Sequence, residues 1–189
     1  MQNNWERDIN VSPLFILKGL YFRSQSTLVA SSLTISERDG KPYVYDDLRK
    51  KWLRLTPEES VRQRFIAYLR TSLGYPDYAF ANEIAVPNAI RKGRTDSLVY
   101  GIGGKPWMII EFKAEHIVLT EKDWQQLLSY NLYHKVSFLC LTNGVKLIAC
   151  RIDILNGKNT FLKEIPSYQE LRAYYEQNKK SGSIVSPMH

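Results

Sequence analysis

Two apolar runs, residues 106–113 and 136–142, are separated by a stretch that reads as a single helix, and this arrangement sets the class of fold. Thr120 and Asp123 have the spacing of a capping box, and the helical pattern continues to about Lys135. Two strands joined through such a helix lie parallel, in a right-handed crossover. Around this unit the remaining signals are antiparallel. Residues 83–86 and 94–100 read as strands leading into 106–113, divided by short turns at Gly93 and Gly101-Ile102-Gly103-Gly104. Asn143-Gly144 is a hairpin turn that returns the chain through residues 145–152. The expected fold is therefore α/β, with a central mixed sheet flanked by helices.

Two further helices frame the sheet. Thr56-Pro57-Glu58-Glu59 supplies a capping oxygen, a proline at the first helical position and an acid at the third. Val61, Phe65, Tyr68, Leu69 and Leu73 then form one apolar face, Gly74 provides the left-handed end, and Pro76 prevents resumption. A last helix is predicted over 168–177. With 189 residues the chain fits one domain. We expect an N-terminal extension over 1–47, partly irregular, Ser-rich around 24–36 and turning at Asp39-Gly40. The main domain should span 48–180, followed by a disordered tail over 181–189.

Several classes of function are disfavoured. The apolar segment 14–21 is broken by Lys18 and too short to span a bilayer. The acidic residues before it and the missing small-residue cleavage site argue against a signal peptide, which leads to a cytoplasmic expectation. Cys140 and Cys150 lie inside apolar runs and read as buried thiols, and His116, His134 and His189 show no zinc-ligand spacing. Lys and Arg number 26 against 19 Asp and Glu, a formal charge of +7 that favours anionic partners without specifying one.

The chemistry concentrates at the ends of two neighbouring strands. Glu111 and Lys113 share one face of their strand because side chains alternate, and Asp96 on the preceding strand can meet them across the hairpin. The expectation is two carboxylates and an ammonium at exposed strand ends. Phosphodiester hydrolysis uses such a set: carboxylates are hard oxygen ligands for Mg²⁺, and a nearby lysine positions water or offsets charge on phosphorus. Glu-x-Lys by itself is equally the pattern of a surface ion pair. Arg91, Lys92 and Arg94 form a basic turn directly before Asp96, suited to DNA phosphates although such turns are often merely solvated. Gln126 and Tyr130 project from one face of the second helix, with Tyr133 extending it. Glu59 reads first as the capping-box acid, with either Glu59 or Glu58 able to offer a third carboxylate.

The ordered set of these stretches resembles the N-terminal nuclease domain of type I restriction enzyme R subunits, particularly its short stand-alone homologues. The resemblance runs from about Tyr43 to Ile152. It is carried by Tyr45-Asp46 to Lys51, by Leu55 through Gln63, and by Gly74-Tyr75-Pro76. It continues through Arg91 to Asp96, Ile110-Glu111-Phe112-Lys113-Ala114, Gln126 through Tyr130, and Leu141-Thr142-Asn143-Gly144. It implies a restriction-endonuclease-like core and a PD-(D/E)xK active centre with Asp96 and Glu111 as Mg²⁺ ligands, Mn²⁺ substituting. Lys113 would be the catalytic lysine, and Gln126 and Tyr130 the Gln-x-x-x-Tyr pair. Glu59 matches the first-helix acid better than Glu58, without deciding between them. Thr95 stands where the motif has proline. No Gly-x-x-x-x-Gly-Lys-Ser/Thr loop is present, so no ATP site is expected.

The expected function is thus a Mg²⁺-dependent DNA endonuclease, acting on DNA either alone or alongside other restriction or defence subunits. The alternatives are a catalytically inactive nucleic-acid-binding or assembly module of the same fold, and a purely structural partner-binding domain.

Overall fold

The computed structural model describes residues 33–86, 93–153 and 158–180. Residues 1–32 of the expected extension, Arg91 and Lys92 of the basic turn, and the tail 181–189 lie outside the described residues.

A six-stranded mixed sheet forms the centre: β4 (Phe80–Val86), β5 (Gly93–Tyr100), β6 (Pro106–Phe112), β7 (Phe138–Thr142), β8 (Leu147–Asp153) and β9 (Lys158–Phe161), adjacent in that order. Among the described strands only β6 and β7 pair in parallel, as the intervening helix requires. Three helices flank it: α1 (Pro57–Ser72), α2 (Glu121–His134) and α3 (Tyr168–Lys180). Val61, Phe65 and Leu69 of α1 and Leu171 and Tyr175 of α3 pack with Met108, Ile110, Phe112, Phe138 and Cys140. Trp124, Leu127 and Tyr130 of α2 pack with Leu98, Ile109, Leu139 and Leu141. Alternate residues of β6 and β7 thus enter opposite cores, and this is why both strands are largely apolar, Glu111 and Thr142 being the exceptions.

The helix termini follow the sequence signals. Thr56 Oγ1 accepts from Glu59 N at 3.1 Å with Pro57 opening the helix, and Gly74 takes a left-handed φ of 69°. The first capping box is only half built, because Thr56 N bonds to the carbonyl of Arg54 and the Glu59 carboxylate turns to Arg62 and Gln63. At α2 the box is complete. Gly101 is required where β5 turns toward β6, since a Cβ there would lie 1.7 Å from the Trp107 ring.

Ahead of α1 the chain forms a three-stranded antiparallel sheet, β1 (Ile35–Arg38), β2 (Lys41–Asp46) and β3 (Lys51–Arg54). The Asp39-Gly40 turn joins the first two, both residues at positive φ. A boundary after residue 47 falls in the connection between paired β2 and β3. Ion pairs also cross this point. Asp46 Oδ1 accepts from Leu48 N and Arg49 N, while its Oδ2 binds Arg49 Nε at 2.6 Å and Arg62 Nη2 at 2.7 Å. Arg62 continues to Glu59, and Arg49 continues to Glu83 on β4. Burial opposes the charge of Asp46, but Arg49 and Arg62 outweigh it and hold the carboxyl well below its usual range.

Arg62 is only 5% exposed. Removing one member of a buried ion pair strands its partners, at a cost of about 3 kcal/mol. Arg62→Ala should therefore lower the melting temperature by on the order of 10 °C. An unchanged melting temperature would show that the network does not anchor the small sheet to α1.

Candidate active site

The site forms where β5 and β6 part. Their last register pair before the divergence is Ser97 with Ile110, while β5 continues alongside β4 to Gly93. One residue beyond that pair, the Asp96 side chain replaces a backbone acceptor: its Oδ2 takes the N–H of Phe112 at 2.9 Å. Across from Asp96, between the pairs 82–97 and 84–95, Glu83 adopts a positive φ of 56°. Lys113 N is held from the other side by the carbonyl of Thr142 on β7. The end of β6 is therefore fixed by both neighbours.

Asp96, Glu111 and Lys113 are brought together, as strand alternation predicts. The exposed strand ends expected for them are not what is observed. Glu111 is 3% exposed, because β6 lies in the middle of the sheet and is covered on both faces. Its Oε1 accepts from Lys113 Nζ at 3.2 Å, whereas its Oε2 is buried and has no hydrogen-bond partner among the described residues. Burial raises the pKa of Glu111, the charge of Asp96 raises it further, and Lys113 only partly opposes this. Asp96 is raised likewise by burial, against the Phe112 N–H, with Glu58 adding repulsion and Lys113 and Arg62 opposing it. A buried Glu111 and a half-buried Asp96 repel each other here, and among the described residues Glu111 Oε2 has no partner.

Glu59, the better match to the first-helix acid, is occupied elsewhere. It bonds Arg62 Nε at 2.9 Å and Gln63 Nε2 at 2.9 Å, and lies 3.5 Å from Arg49. Glu58 is the α1 carboxylate whose charge acts on both Asp96 and Glu111. A signal for this was present. Extended back one turn, the buried stripe Phe65, Val61 arrives at Glu58, while Glu59 aligns with Arg62 and Gln63.

Gln126 and Tyr130 share a face of α2, as their spacing predicts, and bond each other, Gln126 Nε2 donating to Tyr130 Oη at 2.6 Å. Sequence reasoning took Asp123 for a cap alone. Its Oδ2 does accept from Thr120 N and Oγ1, but its Oδ1 lies 3.6 Å from Lys113 Nζ. The spacing of Asp123, Gln126 and Tyr130, three and four residues apart, is the pattern that would have revealed it. Thr95, at the motif's proline position, bonds His134 Nε2 of α2 at 2.9 Å, and burial lowers the His134 pKa. Arg94 is exposed, with its guanidinium 3.9 Å from Glu83. Cys140 and Cys150 are free and buried.

The donor set fits a hard divalent cation. Among the described residues no group of three or more His, Cys, Asp and Glu side chains is arranged to hold a metal. Mg²⁺, however, is commonly held by one or two carboxylates, with waters and substrate phosphate completing its shell. The unpartnered Glu111 oxygen beside Asp96 is where positive charge would remove both the repulsion and the unmet hydrogen-bonding capacity. No described helix is long and apolar enough to cross a membrane.

Compared with known families, residues 57–166, more than half of the chain, match the model described as type I restriction enzyme R protein N terminus (HSDR_N). No curated protein matches the sequence.

Proposed function

The chain belongs to the type I restriction enzyme R protein N-terminal family, and on that premise we propose that it is a Mg²⁺-dependent DNA endonuclease of the PD-(D/E)xK class. The observation that carries the reading is the buried Glu111 facing the half-buried Asp96, with Glu111 Oε2 without a partner among the described residues and Lys113 alongside. Asp96 and Glu111 hold the cation, Mg²⁺ or Mn²⁺, and Glu58 is the nearby first-helix acid. When bound, the cation supplies charge stabilisation on the phosphate and acidifies a bound water. Lys113 orients the attacking water and offsets negative charge developing on the phosphate oxygens. Gln126, bonded to Tyr130, stands one turn along α2 from Asp123, which faces the lysine.

The test is incubation of supercoiled plasmid and of RNA with the protein in Mg²⁺, Mn²⁺ or EDTA. Cation-dependent cleavage of DNA supports the reading. Nucleic-acid binding with no cleavage and no cation uptake by calorimetry would instead make the chain a binding or assembly module. Participation with other restriction or defence subunits belongs to the same proposal.

The basic turn before Asp96 is assigned to DNA phosphates. Replacing Arg91, Lys92 and Arg94 together by Ala should weaken duplex binding. It should also reduce the slope of log affinity against log salt by roughly 2–3, near 0.9 per lost phosphate contact. An unchanged slope would remove the turn from the DNA footprint.

A further inference from the structure

We propose that Asp123 is a positioning residue for Lys113, keeping the ammonium in place when Glu111 and Asp96 are committed to a cation. The proposal rests on the nuclease reading above. Lys113 Nζ stands between two carboxyl oxygens, Glu111 Oε1 at 3.2 Å and Asp123 Oδ1 at 3.6 Å. Of these only Glu111 belongs to the cation pair. A divalent ion on Glu111 would draw off its negative charge and repel the ammonium, and the long lysine stem would then regain its rotamer freedom. Asp123 approaches from α2 and is not free to follow the lysine. Its Oδ2 is tied to Thr120 N at 2.9 Å and Thr120 Oγ1 at 2.6 Å, and its own N–H returns to Thr120 Oγ1. The capping box uses Oδ2 and leaves Oδ1 to face the amine. The contact is also enclosed, the two side chains being 19% and 18% exposed. Helix capping accounts for one carboxylate oxygen, and holding Lys113 accounts for the other.

Asp123→Asn separates the two roles, since the amide oxygen can keep the cap while the charge facing Lys113 is lost. The full chain should cleave plasmid with kcat reduced about 10- to 100-fold, the usual cost of losing a supporting partner at a metal site, and with KM near wild type. A melting-temperature cycle reads the pair without activity. The penalty of Asp123→Asn should be clear in the wild-type background and vanish when Lys113 is already Met. Unchanged kcat, or an equal melting penalty in both backgrounds, would overturn the proposal. If the wild type cleaves nothing, the nuclease reading falls, and the melting cycle still decides whether Asp123 holds the lysine.

Discussion

Lys113→Ala should lose about 10²- to 10³-fold in the rate of plasmid cleavage, as expected when a group stabilising transition-state charge is removed. The fold should survive and Mn²⁺ should still bind, because an ammonium has no lone pair to offer a metal. The Lys113 backbone N–H bonds the carbonyl of Thr142, a contact that alanine retains. Lys113→Met, which keeps length without charge, should be equally inactive, separating the charge from the space the side chain fills. Burial works against the ammonium, but Glu111, Asp123 and Asp96 together raise its pKa, so the wild-type residue is charged at neutral pH. Calorimetric Mn²⁺ titration and plasmid cleavage, run on wild type and both variants, check this. A Lys113→Ala protein cutting as fast as an active wild type would sink the mechanism.

The fold was legible wherever a signal was local. Caps at Thr56 and Thr120, the turns at Gly74 and Asn143-Gly144, and the continuous apolar strands all act within a few residues, and these elements lie where the patterns put them. β9 escaped because four residues carry no periodicity, and its pairing with β8 is settled by the sheet edge. β3 escaped for a different reason. Lys51-Trp52-Leu53-Arg54 alternates weakly, and its place is set by pairing with β2, whose end is tied to α1 by the Asp46–Arg62 ion pair between residues 16 apart. In the site, Asp96, Glu111 and Lys113 could be grouped from strand alternation. The burial of Glu111 could not, because it depends on β6 becoming a central strand covered from both sides. Glu58 and Glu59 could not be separated, and Asp123 was read as a cap alone, because a helix N-terminus rewards an acid whatever else that acid does.

Glu111→Gln should make the cation-free protein more stable at alkaline pH while removing cation binding and cleavage. In the folded protein burial and the Asp96 charge raise the pKa of Glu111, so the folded state retains a proton that the unfolded chain gives up in the ordinary carboxylate range. Below that range both states are protonated, and the carboxyl costs nothing. As pH rises, the unfolded chain ionises first, and stability falls until the pH has passed the raised folded pKa. Each pKa unit between the two states is worth about 1.4 kcal/mol. Gln has nearly the same shape and no charge, so its advantage over wild type should be absent in acid and grow toward pH 8. Asp96 would also be relieved, since the repulsion between the two carboxylates is mutual. Mn²⁺ should reverse the order. The wild type should gain melting temperature with added ion, most at high pH where its carboxylates are deprotonated, and the variant should gain little. Melting curves across pH, with and without Mn²⁺, decide the matter. Parallel wild-type and Glu111→Gln curves would mean that Glu111 carries no buried charge to relieve. An equal Mn²⁺ response in both would place the cation elsewhere. If the predicted crossing is seen, the instability of the empty site and its affinity for a cation have one origin, the buried Glu111 carboxylate facing the charge of Asp96.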